Sequence, residues 1–355
     1  MISSQKSYLI VCCRYIGDVL LTTPLALSIK TAEPDAVVDY LVFQGTEKVL
    51  AKNKFIRKIH TIKKDTTGIA VLVSLFKKYD VSIAANASDR NTLIASITGK
   101  YSIGLTNGWR KEWWKGILLS MHYVWYDLIH AVPTTLMPLR MLGIKPIYKV
   151  VMGYDDDDRH YACSNLPSKK FILMHPYSMK EFKYWPAKKW GELAKLLLEQ
   201  TDFIPVFTAT PAPGDAAFLN EILSYSPSET VVYPCSFTQF AAGLETCEAY
   251  IGIDTAATHI AAAMEVTVIA IYGSSLTRYW GPWPNDCSEF SPFLKNRGIQ
   301  RSGNITIIQK DWECVPCNKE QCRISTHNRP ECLDAITPDQ VLAEIQKHVI
   351  RTHSK

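Results

Sequence analysis

No apolar run in the chain is long enough to cross a bilayer: the richest stretch, 260–272, is interrupted by Glu265. The start of the chain offers no signal-peptide core either, because the run 8–13 is too short and no cleavage site follows it. A cytoplasmic location is therefore the expectation. No Gly-x-Gly-x-x-Gly follows the first apolar run, which removes the main support for a dinucleotide oxidoreductase, and no Gly-Lys-Ser/Thr phosphate loop occurs. Signatures of DNA or RNA binding are missing as well. The net charge of +5 is modest; it suits anionic ligands or an anionic membrane surface without demanding nucleic acid. Internal repeats are absent beyond two similar α/β halves.

What the 355 residues do contain is a globular composition, 47% hydrophobic and 21% charged, at a length that suits two domains. Strand-like runs at 8–13, 37–43, 59–62, 81–85 and 101–104 alternate with helical stretches, and this pattern predicts an α/β fold with a mostly parallel sheet. The aspartate run 155–158 and the stretch up to Lys170 read as a solvated joint between halves. A second series follows, with strands predicted at 171–174, 204–208, 231–233, 250–253 and 266–272. The expected division is a first domain 1–160, a second domain 161–336 with a cysteine-rich segment 312–334, and a terminal helix within 337–355. Thr337, Pro338 and Gln340 predict a capping box at the start of that helix. The stretch 109–115 mixes tryptophan with Arg110, Lys111 and Lys115. It reads as a helix with tryptophans inward and lysines solvated, or as a surface that meets a membrane interface.

One stretch organises the second half. Tyr250 to Ile253 has strand composition, Ala256 to Met264 is rich in helix-forming alanine, and Asp254-Thr255 lies on the turn between them. A strand-to-helix turn of small residues exposes free N–H groups and the positive end of a helix dipole, a geometry that favours phosphate or diphosphate. Alternatively, Asp254 and Thr255 cap the helix. In the first half, Arg14, Asp18, Asn86 and Arg90 fall at the carboxyl ends of predicted strands, where ligands of open parallel sheets gather. Two halves with such loops suggest a cleft with one substrate on each side.

Three motifs carry a resemblance. Arg14-Tyr15-Ile16-Gly17-Asp18-Val19-Leu20-Leu21-Thr22-Thr23-Pro24 resembles the opening motif of glycosyltransferase family 9, the bacterial heptosyltransferases. His175-Pro176-Tyr177-Ser178 with Phe182-Lys183-Tyr184-Trp185-Pro186 resembles its first donor-side motif, and Asp254 to Ala263 with Tyr272-Gly273-Ser274 its second. The resemblance implies a GT-B fold, two Rossmann-like domains facing across a cleft. It implies an inverting transfer of heptose from ADP-heptose to a lipopolysaccharide inner-core sugar at the cytoplasmic face of the inner membrane, with no catalytic cofactor. By the same resemblance Asp18 is the general base and Lys183 meets the donor phosphates; a helix N-cap and an ordinary surface lysine are the competing readings. The other donor-side residues are Tyr177, Ser178, Asp215, Asp254, Thr255, Ala256 and His259. For Asp215, a ribose-binding acid and an N-cap stand side by side; for His259, orienting Asp254, touching phosphate or packing in a helix do. Arg14, Asn86 and Arg90 are assigned to the acceptor.

Cys314, Cys317, Cys322 and Cys332 form a compact set of thiols. In a chain expected to be cytosolic, such a set suggests metal more than disulfide, and Zn²⁺ or one iron suits four thiolates. A metal there would be structural and would clamp an irregular segment without touching the donor. Two other functions remain open: the same chemistry on a protein acceptor such as an autotransporter, and a non-catalytic nucleotide- or metal-binding protein.

Overall fold

The computed structural model describes residues 5–124, 129–210, 212–288, 290–323, 325 and 330–349. Part of the cysteine-rich segment (324 and 326–329), the end of the expected terminal stretch (350–355) and the Trp109 side chain lie outside the described residues. The chain divides into two units, Met1–Gly153 and Tyr154–Lys355.

In the first unit the β-branched runs form six strands: β1 (Ser7–Cys12), β2 (Val37–Phe43), β3 (Lys58–Ile62), β4 (Tyr79–Ala84), β5 (Gly99–Thr106) and β6 (Met121–Val124). They pair in the order β3-β2-β1-β4-β5-β6, every pair parallel. Leu9, Val11, Leu41, Ile62, Tyr79 and Ile94 pack in one apolar cluster against the sheet. The order reverses between β1 and β4, so the loops after these two strands open a crevice at the carboxyl edge.

The second unit holds β7 (Phe171–His175), β8 (Ile204–Ala209), β9 (Val231–Pro234), β10 (Ala249–Ile253), β11 (Val268–Ile271), β12 (Gln300–Ser302) and β13 (Ile305–Ile308). Their order is β12-β13-β11-β10-β7-β8-β9, parallel except for the antiparallel β12–β13 pair. Here the reversal falls between β7 and β10. Trp185 and Trp190 are buried and meet edge to face at 5.1 Å between ring centroids. The Trp185 indole N–H donates to the carbonyl of Ile336 at 3.1 Å, which fastens the segment before the last helix, Pro338–His348, to the core. That helix opens on the expected capping box between Thr337 and Gln340.

Two local expectations change. The aspartate run is not a structureless joint: residues Asp156–Asn165 form a helix, and Asp155 and Asp158 close a capping box at 3.1 and 3.2 Å. Carboxylates at the positive end of a helix dipole are stabilised there, so a run that looks like a solvated tract becomes a helix start. The helix Trp109–Leu118 also departs from its expected sides at two residues. Lys115 is buried between Glu112 at 2.8 Å and Asp89 at 3.0 Å, while Trp113 is 56% exposed. A buried ammonium persists only when paired, and these two carboxylates supply the pairing.

Candidate active site

At the carboxyl edge of the first unit, β1 runs into a short helix, Ile16–Leu20, with Asp18 in its first turn. Asp18 does not cap this helix: Tyr15 holds the N-cap position, with no side-chain cap bond. The Arg14 Nε lies 3.6 Å from the Asp18 carboxylate. Burial raises the Asp18 carboxyl above the ordinary aspartate range, against the lowering by Arg14 and the backbone N–H groups of the turn. A carboxylate made more basic by its surroundings is what proton abstraction from a hydroxyl requires.

Asn86 follows β4, and its side-chain amide reaches the Cys12 sulfur at 4.0 Å. The charges of Asp18 and Arg14 act on the same buried thiol. Arg14, Asp18 and Asn86 thus gather around the end of β1. Arg90 is held to one side: it stacks 5.3 Å from the Phe43 ring centroid and donates to the carbonyl of Lys64 at 2.9 Å.

At the switch point of the second unit, the Lys183 ammonium stands 2.6 Å from the Asp254 carboxylate. Lys183 closes a single turn, Glu181–Lys183, in the loop after β7, while Asp254 directly follows β10. Across 71 residues of sequence, the sheet brings them together because β7 and β10 are paired neighbours. The Ser275 hydroxyl also donates to Asp254. Asp254 therefore does not cap the next helix, Ala256–Ala263, and Thr255, at the N-cap position, makes no side-chain cap bond. The first N–H groups of this helix, Ala256 included, have no side-chain cap among the described residues.

His259 lies buried on this helix, its pKa pushed down to about 4 by burial, with the Lys183 charge adding to the shift against Asp254. It is neutral at pH 7, and its Nδ1 has no hydrogen-bond partner among the described residues. A cation, free backbone donors and an unpaired buried nitrogen around one strand end make a site suited to an anion.

The remaining donor-side candidates divide. Asp215 is no N-cap: Ala212 holds that position, and the Asp215 oxygens accept from the hydroxyls of Tyr184, at 3.0 Å, and Thr210. The Ser178 hydroxyl accepts from the Lys180 N–H at 3.4 Å and braces the loop that carries Lys183. Tyr177 turns inward instead: it is 2% exposed, and its hydroxyl donates to the carbonyl of Thr208 at 3.0 Å. Its ring packs in the apolar core of the second unit.

Residues not singled out by sequence reasoning complete the site. The Gln309 side-chain N–H₂ donates to the carbonyls of Gly273 at 2.7 Å and Ser275 at 3.0 Å. Asn318 accepts from the Leu276 N–H at 2.9 Å, and its own N–H donates to Ser274 at 2.8 Å. The motif Tyr272-Gly273-Ser274 pointed to this turn, but nothing in the sequence pointed to Gln309 or Asn318.

Cys314, Cys317, Cys322 and Cys332 line one cavity of about 20 Å³, together with Ser274, Trp312 and Lys319. Cys332 is buried, its thiol pushed up to about 12 by burial, with the three other cysteines adding to the rise. Such a convergence of four sulfurs fits a thiophilic metal. As the side chains stand, no three His, Cys, Asp or Glu groups among the described residues are close enough to hold an ion. Loading would have to draw the sulfurs together.

The model of glycosyltransferase family 9 (heptosyltransferase) matches residues 73–326, a stretch that includes Lys183 and Asp254 but not Asp18. Lipopolysaccharide heptosyltransferase 3 of Escherichia coli (strain K12) is 26% identical over 297 residues, covering 78% of this chain and 85% of that protein. Among solved structures, a family 9 glycosyl transferase from Veillonella parvula DSM 2008 has a TM-score of 0.76 at 17% identity, covering 99% of both chains. The E. coli heptosyltransferase WaaC with ADP has a TM-score of 0.70 at 18% identity, covering 96% of this chain and 99% of that one. The two Rossmann-like units are those of the GT-B class.

Proposed function

The chain belongs to glycosyltransferase family 9 and is a glycosyltransferase; on that premise we propose that it transfers heptose, with inversion, from ADP-heptose to an inner-core sugar of lipopolysaccharide. The observation that carries this reading is the Lys183–Asp254 pair at the uncapped start of Ala256–Ala263. The acceptor hydroxyl oxygen attacks the anomeric carbon and forms the new glycosidic bond. Asp18 takes the hydroxyl proton. The bond from the anomeric carbon to the phosphate oxygen breaks, and ADP leaves with the electron pair. Lys183 and the backbone donors at Thr255 and Ala256 neutralise the charge that develops on the departing phosphate. No cofactor enters this step. Asp215, beside two hydroxyls, is suited to the ribose, and Arg14, Asn86 and Arg90 to the acceptor.

The acceptor is lipid-linked, so the protein works as a peripheral protein at the inner face of the inner membrane. Among the described residues no helix is long and apolar enough to cross a membrane. Support for surface contact comes from the neighbouring helices Ile69–Ser74, Asp89–Thr98 and Trp109–Leu118. They expose Ile69, Val73, Leu93, Trp113 and Ile117, with Lys63, Lys64, Lys78 and Lys111 exposed nearby in the chain. Apolar side chains flanked by lysines favour an anionic interface. The cysteine set holds one structural Zn²⁺ or iron through Cys314, Cys317, Cys322 and Cys332 and takes no part in bond making.

Calorimetry with ADP tests the donor site. Lys183→Ala is expected to weaken ADP binding roughly 10-fold or more, the worth of a charge-assisted hydrogen bond, and to leave the acceptor KM unchanged. Unaltered ADP affinity would return Lys183 to the surface and remove the reading's main support.

A further inference from the structure

The cysteine-rich segment is joined to the donor-side loops by direct bonds. Asn318 follows Cys317 in the left-handed region, φ +53°, which asparagine tolerates better than most residues. From there it grips the 273–276 turn twice, through its N–H to Ser274 at 2.8 Å and its Oδ1 from Leu276 at 2.9 Å. The Ser274 hydroxyl answers by donating to the carbonyl of Lys319 at 3.1 Å. A second link pairs Glu320 with Lys180 at 2.7 Å, at the head of the turn that presents Lys183. The two links are unequal. Lys180 and Glu320 are 46% and 64% exposed, so their pair contributes little. Asn318 instead acts on a turn whose Ser274 is buried and whose other side is held by buried Gln309.

The consequence runs through Ser275. Its hydroxyl donates to Asp254, the carboxylate that also holds Lys183. A carboxylate beside an anion site opposes a diphosphate, and less so when hydrogen-bond donors share its charge. While Ser275 occupies one of them, Lys183 is the freer to turn to phosphate. If the turn slackens and Ser275 withdraws, Asp254 demands more of Lys183 and repels the anion more strongly. We propose that Asn318 is a positioning residue for the donor diphosphate, holding the 273–276 turn so that Ser275 satisfies Asp254. The proposal rests on the donor site assigned above to Lys183 and Asp254.

The test measures ADP affinity by calorimetry on the full chain, with donor KM, kcat and the thermal midpoint alongside. Asn318→Gly keeps the left-handed backbone and deletes the acceptor; Asn318→Asp keeps the acceptor. The expected result is a rise in the ADP Kd and donor KM of about 3- to 10-fold for the glycine variant, the worth of one hydrogen bond. The acceptor KM should hold, and the aspartate variant should recover most of the loss. Ser275→Ala should reproduce the glycine phenotype, and it replaces that variant if Asn318→Gly folds poorly. Wild-type ADP affinity in both Asn318→Gly and Ser275→Ala, with Lys183→Ala impaired, overturns the positioning role alone. Wild-type affinity in all three overturns the donor site and the positioning role with it. Equal impairment of Asn318→Gly and Asn318→Asp overturns it too, since the acceptor oxygen would then be irrelevant.

Discussion

Asp18→Asn separates catalysis from stability. The substitution keeps the shape of the side chain and removes its charge and basicity. Burial raises the Asp18 carboxyl above its ordinary value, so the folded protein binds this proton more tightly than the unfolded chain does. The associated stability is fully present at acid pH and is lost as pH rises from the unfolded pKa through the folded one. At pH 7 the buried carboxylate is therefore a net cost to folding, only partly offset by Arg14 at 3.6 Å. Asparagine escapes that cost. The variant is expected to melt at or above the wild-type temperature at pH 7, while turnover falls by about 100-fold or more, the usual worth of a general base. Acid pH should depress wild-type turnover as Asp18 takes up its proton, and the variant should lose that limb of the profile. Removing the opposing charge with Arg14→Gln should shift the acid limb to higher pH. The assay is ADP release from ADP-heptose with a core-oligosaccharide acceptor, across pH, beside thermal melts. Turnover of Asp18→Asn within about 5-fold of wild type would contradict the base assignment. Loss of turnover accompanied by a lower melting temperature would mean that the residue serves the fold.

Protein purified without chelators is expected to carry about one equivalent of zinc or iron, as for a closed four-thiolate site. Cys317→Ser should lower both metal content and thermal midpoint, and elemental analysis showing metal-free wild type with freely titrating thiols would remove the site. Because Asn318 adjoins Cys317 and grips the 273–276 turn, the same variant should also weaken ADP binding, which calorimetry reads directly. Trp185→Ala removes a buried ring and its bond to Ile336. It should destabilise the second unit by about 3–5 kcal/mol, read as a lower denaturant midpoint, and an unchanged midpoint would contradict the packing described.

The α/β alternation, the order of the motifs and the terminal capping box were legible in the residues because each depends on neighbours in sequence. β-branched runs favour strands wherever they are buried, and Thr337 reaches Gln340 within one helical turn. The helix at Asp156–Asn165 was missed for the opposite reason: four successive carboxylates read as solvated charge until the helix dipole beneath them is known. Short strands such as β6 and β12 lack a pattern of their own and exist because longer neighbours offer open edges. The site divides along the same line. Asp18, Lys183 and Asp254 stand out in motifs, yet sequence alone left each between a ligand role and a cap or surface role. For Lys183 and Asp254, sheet order sets the surroundings. Pairing β7 with β10 brings Lys183 onto Asp254 and takes that carboxylate away from the helix start, and core packing turns Tyr177 inward. Gln309 and Asn318 carry no local signal, because what they bond to is a backbone turn more than thirty residues earlier, brought within reach only when β11 and β13 pair side by side.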